Sequence, residues 1–275
     1  MNLNDKLKGF PTVHYFNLDS RTDRKEYMES QFDRWGIKHF KRISASKYLS
    51  SEDHNWGHLV LDEDIKCPPS VAANTITHLE TIKNWLENTN EKYMLMMEDD
   101  YDLSLIEYWN FDWEYIMNSI PVNWDCILLG FEDMYTLPFF LHPNLHSHGF
   151  GPCCITRRYA EKLIDLHCHQ NRFKLKLNIA DVRYQSTSES LDGLMAGSGL
   201  TYAIPLITTN TDYGSDYCPE INDKPRDHMY ICRDLYYEWW TKRYSNFSLE
   251  EFFSYGKPND HLMTVNLKNN KYSYE

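Results

Sequence analysis

No stretch of this chain is apolar over the roughly 20 residues that a membrane-spanning helix needs. Its first residues, Met1-Asn2-Leu3-Asn4-Asp5-Lys6, also lack the basic-then-apolar order of a secretory leader. Both absences lead to the expectation of a cytoplasmic protein. Basic residues are scarce: 28 Lys and Arg stand against 40 Asp and Glu, a formal net charge of -12. Such a balance disfavours non-specific binding to nucleic acid or to an anionic membrane, and a phosphate-bearing ligand would need local help from a metal. Cysteines number seven, an odd count, with no CxxC pair. That argues against a disulfide framework and a structural zinc site, and the cysteines are read as reduced core thiols. Repeats and low-complexity segments are absent. What is present is 275 residues at 42% hydrophobic composition, enough for a sizeable core in one large domain, with or without a small appendage. The 20 Tyr and 8 Trp supply either sugar-stacking platforms or ordinary core and surface aromatics.

The most informative stretch is Tyr93-Met94-Leu95-Met96-Met97-Glu98-Asp99-Asp100-Tyr101-Asp102, an apolar run that ends in four carboxylates within five residues. A short apolar run bounded by polar residues reads as a buried strand of an α/β sheet, and ligands of such sheets gather at the carboxyl ends of strands. Carboxylates this crowded repel one another unless a cation or a shared proton relieves them. Hard oxygen ligands suit Mg²⁺ or Mn²⁺ carrying a phosphate. The structural alternative is an N-terminal cluster for a helix starting near Ser104.

Elsewhere the pattern alternates strand and helix. Residues 11–19 read as a first strand, and Ser20 with Asp23 forms a capping-box pattern. Met28, Phe32 and Trp35 follow at helical spacing and Gly36 closes that helix. Residues 37–45 alternate as a second strand, parallel to the first. Arg21 and Arg24, at the strand-helix junction, either face a uracil or a diphosphate or are simply solvated. Residues 47–69 read as a loop whose His54 and His58 lack a helical setting for a metal pair. Ser70 is placed as the cap of a helix with Ile76, Leu79, Ile82 and Leu86 buried, and His78 beside that stripe is a structural hydrogen-bonder or a ligand. Residues 106–120 read as one helix stopped by Pro121, 124–129 as a strand, and 131–147 as a loop. Within and just after that loop, His142, His146 and His148 count as solvated. Residues 153–156 form a short strand and 157–167 a helix.

Ser188-Glu189-Ser190-Leu191-Asp192 marks a helix start, where Glu189 and Asp192 are electrostatically favoured in any case. Functionally, an acid there is a candidate base for an acceptor hydroxyl. Residues 201–207 read as a last strand and 208–227 as a loop carrying Asp212 and Asp216. The aromatic segment 229–255 is expected to pack back on the body as helices, with a peripheral tail.

The order of these motifs resembles glycosyltransferase family 25, the lipopolysaccharide and collagen-type galactosyltransferases. The resemblance rests on Phe16-Asn17-Leu18-Asp19-Ser20-Arg21-Thr22-Asp23-Arg24, Ile43-Ser44-Ala45, Thr77-His78-Leu79 and Glu98-Asp99-Asp100. It continues through Gly151 to Leu163, Leu191-Asp192 and Ser215-Asp216, spanning residues 11–217. Thr77 stands where serine is more usual, and segments 171–187 and 229–275 have no counterpart. The resemblance implies a Rossmann-like, GT-A type fold with a mixed, mostly parallel sheet and helices on both faces. A catalytic domain is placed at residues 1–228 and an aromatic helical extension at 229–275. It further implies an inverting transfer of a hexose from a UDP-sugar to a hydroxyl of a glycan or protein acceptor, assisted by Mn²⁺ or Mg²⁺. Asp100 would hold the metal with Glu98 or Asp102, and His228 would complete its shell. Asn17, Leu18, Arg21, Arg24, Ala45, His78 and Asp99 would line the donor, and Asp192 would be the base. Two rival readings are a metal-dependent phosphoesterase and a catalytically silent carbohydrate-binding protein on the same fold.

Overall fold

The computed structural model describes residues 3–49, 58–61, 67–130, 136–144, 151–175, 191–214, 227–243, 247–254, 264–266 and 273–274. The chain opens with a short α1 (Leu3–Lys6), a fully buried β1 (Val13–Asn17) and α2 (Thr22–Trp35). Met28, Phe32 and Trp35 are buried in α2, joined by Arg24 and Gln31, and Gly36 ends it in the left-handed region at φ 67°. The expected capping box does not form. Arg21 occupies the N-cap without a side-chain cap, and it takes the Asp23 carboxylate for itself through two hydrogen bonds of 3.0 and 2.8 Å. β2 (Phe40–Ser44) then pairs with β1 in parallel.

α3 (Pro69–Asn88) starts one residue before Ser70, with Pro69 at its first turn in place of the serine cap. His78 is wholly buried rather than beside the stripe, because α3 is wedged between the sheet and a satellite cluster of Tyr48, Val60, Phe173 and Leu194. The hydroxyls of Thr75, Thr77 and Thr81 are satisfied inside this buried helix by carbonyls four residues back.

β3 (Tyr93–Glu98) and β4 (Tyr101–Asp102) carry the acidic run. The single helix expected over 106–120 is broken: a 3₁₀ turn (Ser104–Tyr108) precedes α4 (Trp113–Ser119). Asp112 restarts the helix by accepting from the Tyr115 amide at 2.7 Å, so this internal cap divides what periodicity had joined. After β5 (Cys126–Leu128), the segment expected to be loop contains β6 (Thr136–Pro138) and β7 (His142–Pro143). Pro138 and Pro143 obscure these strands in the sequence, and β7 tolerates its proline because it lies at a sheet edge. His142 in β7 is bonded to the Phe140 carbonyl at 2.9 Å, whereas His146 and His148 fall outside the described residues.

The remaining elements are β8 (Cys153–Thr156), α5 (Arg157–His167), a hairpin of β9 (Cys168–His169) and β10 (Arg172–Phe173), α6 (Leu191–Gly197), β11 (Thr201–Ala203) and β12 (Thr208–Thr209). A 3₁₀ turn (Thr211–Tyr213), α7 (Asp227–Arg243), α8 (Leu249–Phe252), β13 (Thr264–Asn266) and β14 (Ser273–Tyr274) complete the chain.

The architecture is mixed α/β. The main sheet has seven strands in the order β2-β1-β3-β8-β5-β11-β7. β2, β1, β3, β5 and β11 run one way, while β8 and β7 run against them. Successive strand residues face opposite sides, which divides the core in two. Val13, Tyr15, Leu95, Met97 and Ile127 pack with α2, α4, α7 and α8, whereas Phe16, Met94, Met96, Cys126 and Ile155 pack with α3, α5 and α6. Helices therefore cover both faces. Trp239, Trp240 and Phe252 belong to the first core, and the boundary expected at residue 228 falls inside α7. No helix among the described residues is long and apolar enough to cross a membrane.

Candidate functional site

Parallel pairing of β2, β1 and β3, with Phe16 opposite both Ile43 and Glu98, brings three strand ends to one edge of the sheet. A cleft opens there, with about 610 Å³ of space counting its solvent-filled mouth. Phe16, Leu18, Ala45 and Leu49 form its apolar wall, Ser70 and Asn74 of α3 its neutral polar wall, and Glu98, Asp99, Asp100 and Arg24 its charged end.

The four carboxylates of the acidic run have separate surroundings. Asp99 turns inward: Arg24 donates to it at 2.8 Å and Asn17 at 2.6 Å, and the Arg24 and Asp99 side chains are only 6% and 7% exposed. Arg42 continues this network by donating to Asn17 Oδ1 at 2.7 Å and to Asp19 at 2.7 Å. A buried charge is tolerated only when paired and hydrogen-bonded, which is what Asn17 and Arg24 supply. Asp100 lies 3.7 Å from Arg24 and lines the cleft. Glu98 is half-buried and accepts one bond, from Asn74 at 3.2 Å. Burial, followed by the charges of Asp100 and Asp99, pushes its carboxyl up to about 8, with Asp192 adding to the repulsion and Asn74 working against it. Asp102 faces elsewhere, accepting from Tyr237 at 2.6 Å and from the Ser104 amide at 2.8 Å.

Of the residues singled out in the sequence, the structure gathers Asn17, Leu18, Arg24, Ala45, Glu98, Asp99 and Asp100 at this edge. Asp192, in the first turn of α6, is not among the residues lining the cleft, although its charge adds to the repulsion on Glu98. His78 lies beneath the cleft rather than in it. Its ring stacks on Phe16 at 3.6 Å and its Nδ1 meets the Asn74 carbonyl at 2.9 Å, and burial lowers its pKa to about 4, leaving it neutral. Arg21 is not among the residues lining the cleft; it pairs with Asp23 and lies 5.8 Å from the Tyr213 ring, which Arg24 approaches at the same distance. Asp212 pairs with Arg233 at 3.6 Å. The His228 side chain, Glu189 and Asp216 lie outside what is described. Among the described residues no three His, Cys, Asp or Glu side chains converge as a metal site.

Sequence reasoning missed Asn74, Ser70, Leu49 and Arg42. Asn74 carried a signal, being a polar residue one turn before His78 on a helix otherwise buried at that level. Arg42 carried none, since an arginine on an alternating strand reads as solvated.

No family model matches this chain, and no curated protein matches it. Among solved structures it is similar to A197 from STIV, with a TM-score of 0.36 and 10% identity over 72% of this chain and 84% of that one. HddC from Yersinia pseudotuberculosis is similar with a TM-score of 0.33 and 11% identity, covering 83% of this chain and 80% of that one. HddC complexed with GMP-PN gives a TM-score of 0.32 and 12% identity, covering 81% of this chain and 98% of that one. Likenesses this slight carry no argument about function.

Proposed function

We propose that this chain is a metal-dependent, inverting glycosyltransferase of GT-A type, transferring a hexose from a UDP-sugar to a hydroxyl of a glycan or protein. The observation that carries the reading is the charge balance of the cleft. Glu98, Asp99 and Asp100 meet a single guanidinium, Arg24, among the residues lining it, and Arg24 is engaged with Asp99. A diphosphate entering alone meets excess negative charge, whereas one arriving with a dication does not. The motif order shared with glycosyltransferase family 25 supports the same reading.

The donor set fits Mn²⁺ or Mg²⁺. Glu98 and Asp100 are hard oxygen ligands held close enough to raise Glu98, and such ions commonly take one or two carboxylates with the remaining positions left to phosphate and water. When bound, the ion supplies Lewis-acid neutralisation of the departing diphosphate. The chain's own residues do the rest. Leu18, Ala45 and Leu49 offer an apolar wall to a nucleobase, while Asn17 and Arg24 fix Asp99 and with it the turn presenting Asp100. Asp192 takes the proton of the acceptor hydroxyl. Arg21 is paired with Asp23 and His78 supports α3, so neither is assigned a donor contact. A cytoplasmic setting belongs to the same proposal and agrees with the free state of the cysteines among the described residues.

Titration calorimetry of UDP with and without Mn²⁺, on wild type and Asp100→Asn, tests this reading. Binding that requires Mn²⁺ and is lost in Asp100→Asn is expected. Equal affinity with and without the ion overturns it, as does faster turnover of a plain phosphodiester than of UDP-galactose or UDP-glucose.

A further inference from the structure

The turn that carries Asp100 continues into a ribbon too short to hold itself. β4 and β12 are two residues each, paired antiparallel with Asp102 opposite Thr208 and Tyr101 opposite Thr209, and isolated two-stranded ribbons are marginal in water. The Asn210 amide extends the pairing by donating to the Asp100 carbonyl at 2.6 Å. Support comes from two helices. Gln31 of α2 donates to the Tyr101 carbonyl at 2.9 Å and accepts from the Leu103 amide at 2.7 Å. From α7, Tyr237 donates to Asp102 Oδ2 at 2.6 Å and meets the Ser104 hydroxyl, while Asp102 Oδ1 accepts from the Ser104 amide. Arg233, one turn earlier on α7, donates to Thr211 Oγ1 at 2.5 Å just beyond β12. One helix thus grips both sides of the ribbon.

We infer that Tyr237 is a positioning residue, a strut acting through Asp102 that fixes the backbone, and so the carboxylate, of Asp100. The importance of that carboxylate rests on the proposed function; the strut itself is a matter of geometry. Asp102 thereby changes role from candidate ligand to link, since both its oxygens are engaged by the protein and it does not line the cleft. Burial, then the bond to Asp102, raises the Tyr237 pKa above that of an ordinary phenol, so the hydroxyl keeps its proton.

Three variants separate strut from ligand: Tyr237→Phe, Asp102→Ala and Asp102→Asn. The asparagine retains groups able to bond both Tyr237 and Ser104, but it lacks the charge of a metal ligand. Amide hydrogen exchange at Asn210, measured against the amides of β3, is the direct readout. Tyr237→Phe and Asp102→Ala are expected to speed exchange at Asn210 about tenfold, the scale of one lost hydrogen bond, with β3 unchanged and Asp102→Asn near wild type. UDP affinity in Mn²⁺ is expected to follow the same order, again by about tenfold. Unaltered exchange in Tyr237→Phe overturns the inference, and so does a rise matched throughout β3, which marks general destabilisation. Asp102→Asn with native exchange but lost Mn²⁺-dependent affinity returns Asp102 to the role of ligand. Wild type that binds no UDP with Mn²⁺ refutes the functional reading instead, while the exchange pattern still decides the strut.

Discussion

Asp99 and Asp100 are neighbours with the same side chain and both line the cleft, yet Asp99 is sealed against Arg24 and Asn17 by hydrogen bonds while Asp100 lies 3.7 Å from Arg24. The difference comes from which way each side chain leaves the turn after β3, and its partners come from β1 and α2, more than seventy residues away in sequence. Asp192 poses the same problem. As an acid in the first turn of α6 it has a sufficient electrostatic reason to be there, worth about 0.3–1 kcal/mol. Its influence on Glu98 is what helix-start chemistry does not require. If Asp192 is the base, Asp192→Asn binds UDP-sugar normally and loses about a hundred- to ten-thousand-fold in turnover. If it serves only the helix, turnover is nearly normal and the protein melts slightly earlier. Steady-state kinetics and a thermal melt on this one variant distinguish them, and full activity would remove Asp192 from the reaction.

Whole elements were legible wherever a local signal sufficed. Gly36 closes α2, and α5 runs over the residues that periodicity gives it, Arg157–His167. The run Tyr93–Glu98 is a buried strand ending in carboxylates at the edge where the cleft opens, as its pattern implies. Elements failed where one residue outweighed the pattern: Arg21 removes Asp23 from a cap, Pro69 takes the first turn of α3, and prolines disguise β6 and β7. The site divides in the same way. Its acids were visible because they cluster in sequence, and a parallel sheet was expected to bring Arg24 to the same edge; the direct bonds of Arg24 and Asn17 to Asp99 and the part played by Arg42 were not visible, since they exist only where strand ends meet. Asp112 allows a direct test at this scale. Its carboxylate restarts the chain as α4 after the 3₁₀ turn, so Asp112→Ala is expected to lower unfolding free energy by about 1 kcal/mol in urea titrations. No loss would mean that burial of Trp113 and Ile116 alone sets the helix start.

For the whole molecule, two groups at and beneath the cleft, Glu98 and His78, act on stability in opposite directions. Glu98 is raised from 4.5 to about 8, so between those values the folded chain holds a proton that the unfolded chain has released. Its contribution is fully present below about 4.5 and is lost as pH rises to about 8. His78 is lowered from 6.5 to about 4, so its contribution is present above about 6.5 and is lost as pH falls toward 4. From about 4.5 to 6.5 the two slopes oppose each other; above 6.5 only that of Glu98 remains. The melting temperature is therefore expected to be nearly level across the first window and to fall from pH 6.5 to 8. A dication held between Glu98 and Asp100 favours the carboxylate over its protonated form, since it replaces repulsion from Asp100, Asp99 and Asp192 with attraction. Saturating Mg²⁺ should flatten the fall above pH 6.5, and Glu98→Gln should flatten it without any metal. Thermal melts of both proteins from pH 5 to 8.5, with and without Mg²⁺, provide the measurement. A fall that persists in Glu98→Gln would place its origin outside the cleft, and a fall in wild type that ignores Mg²⁺ would count against an ion at this pair of carboxylates.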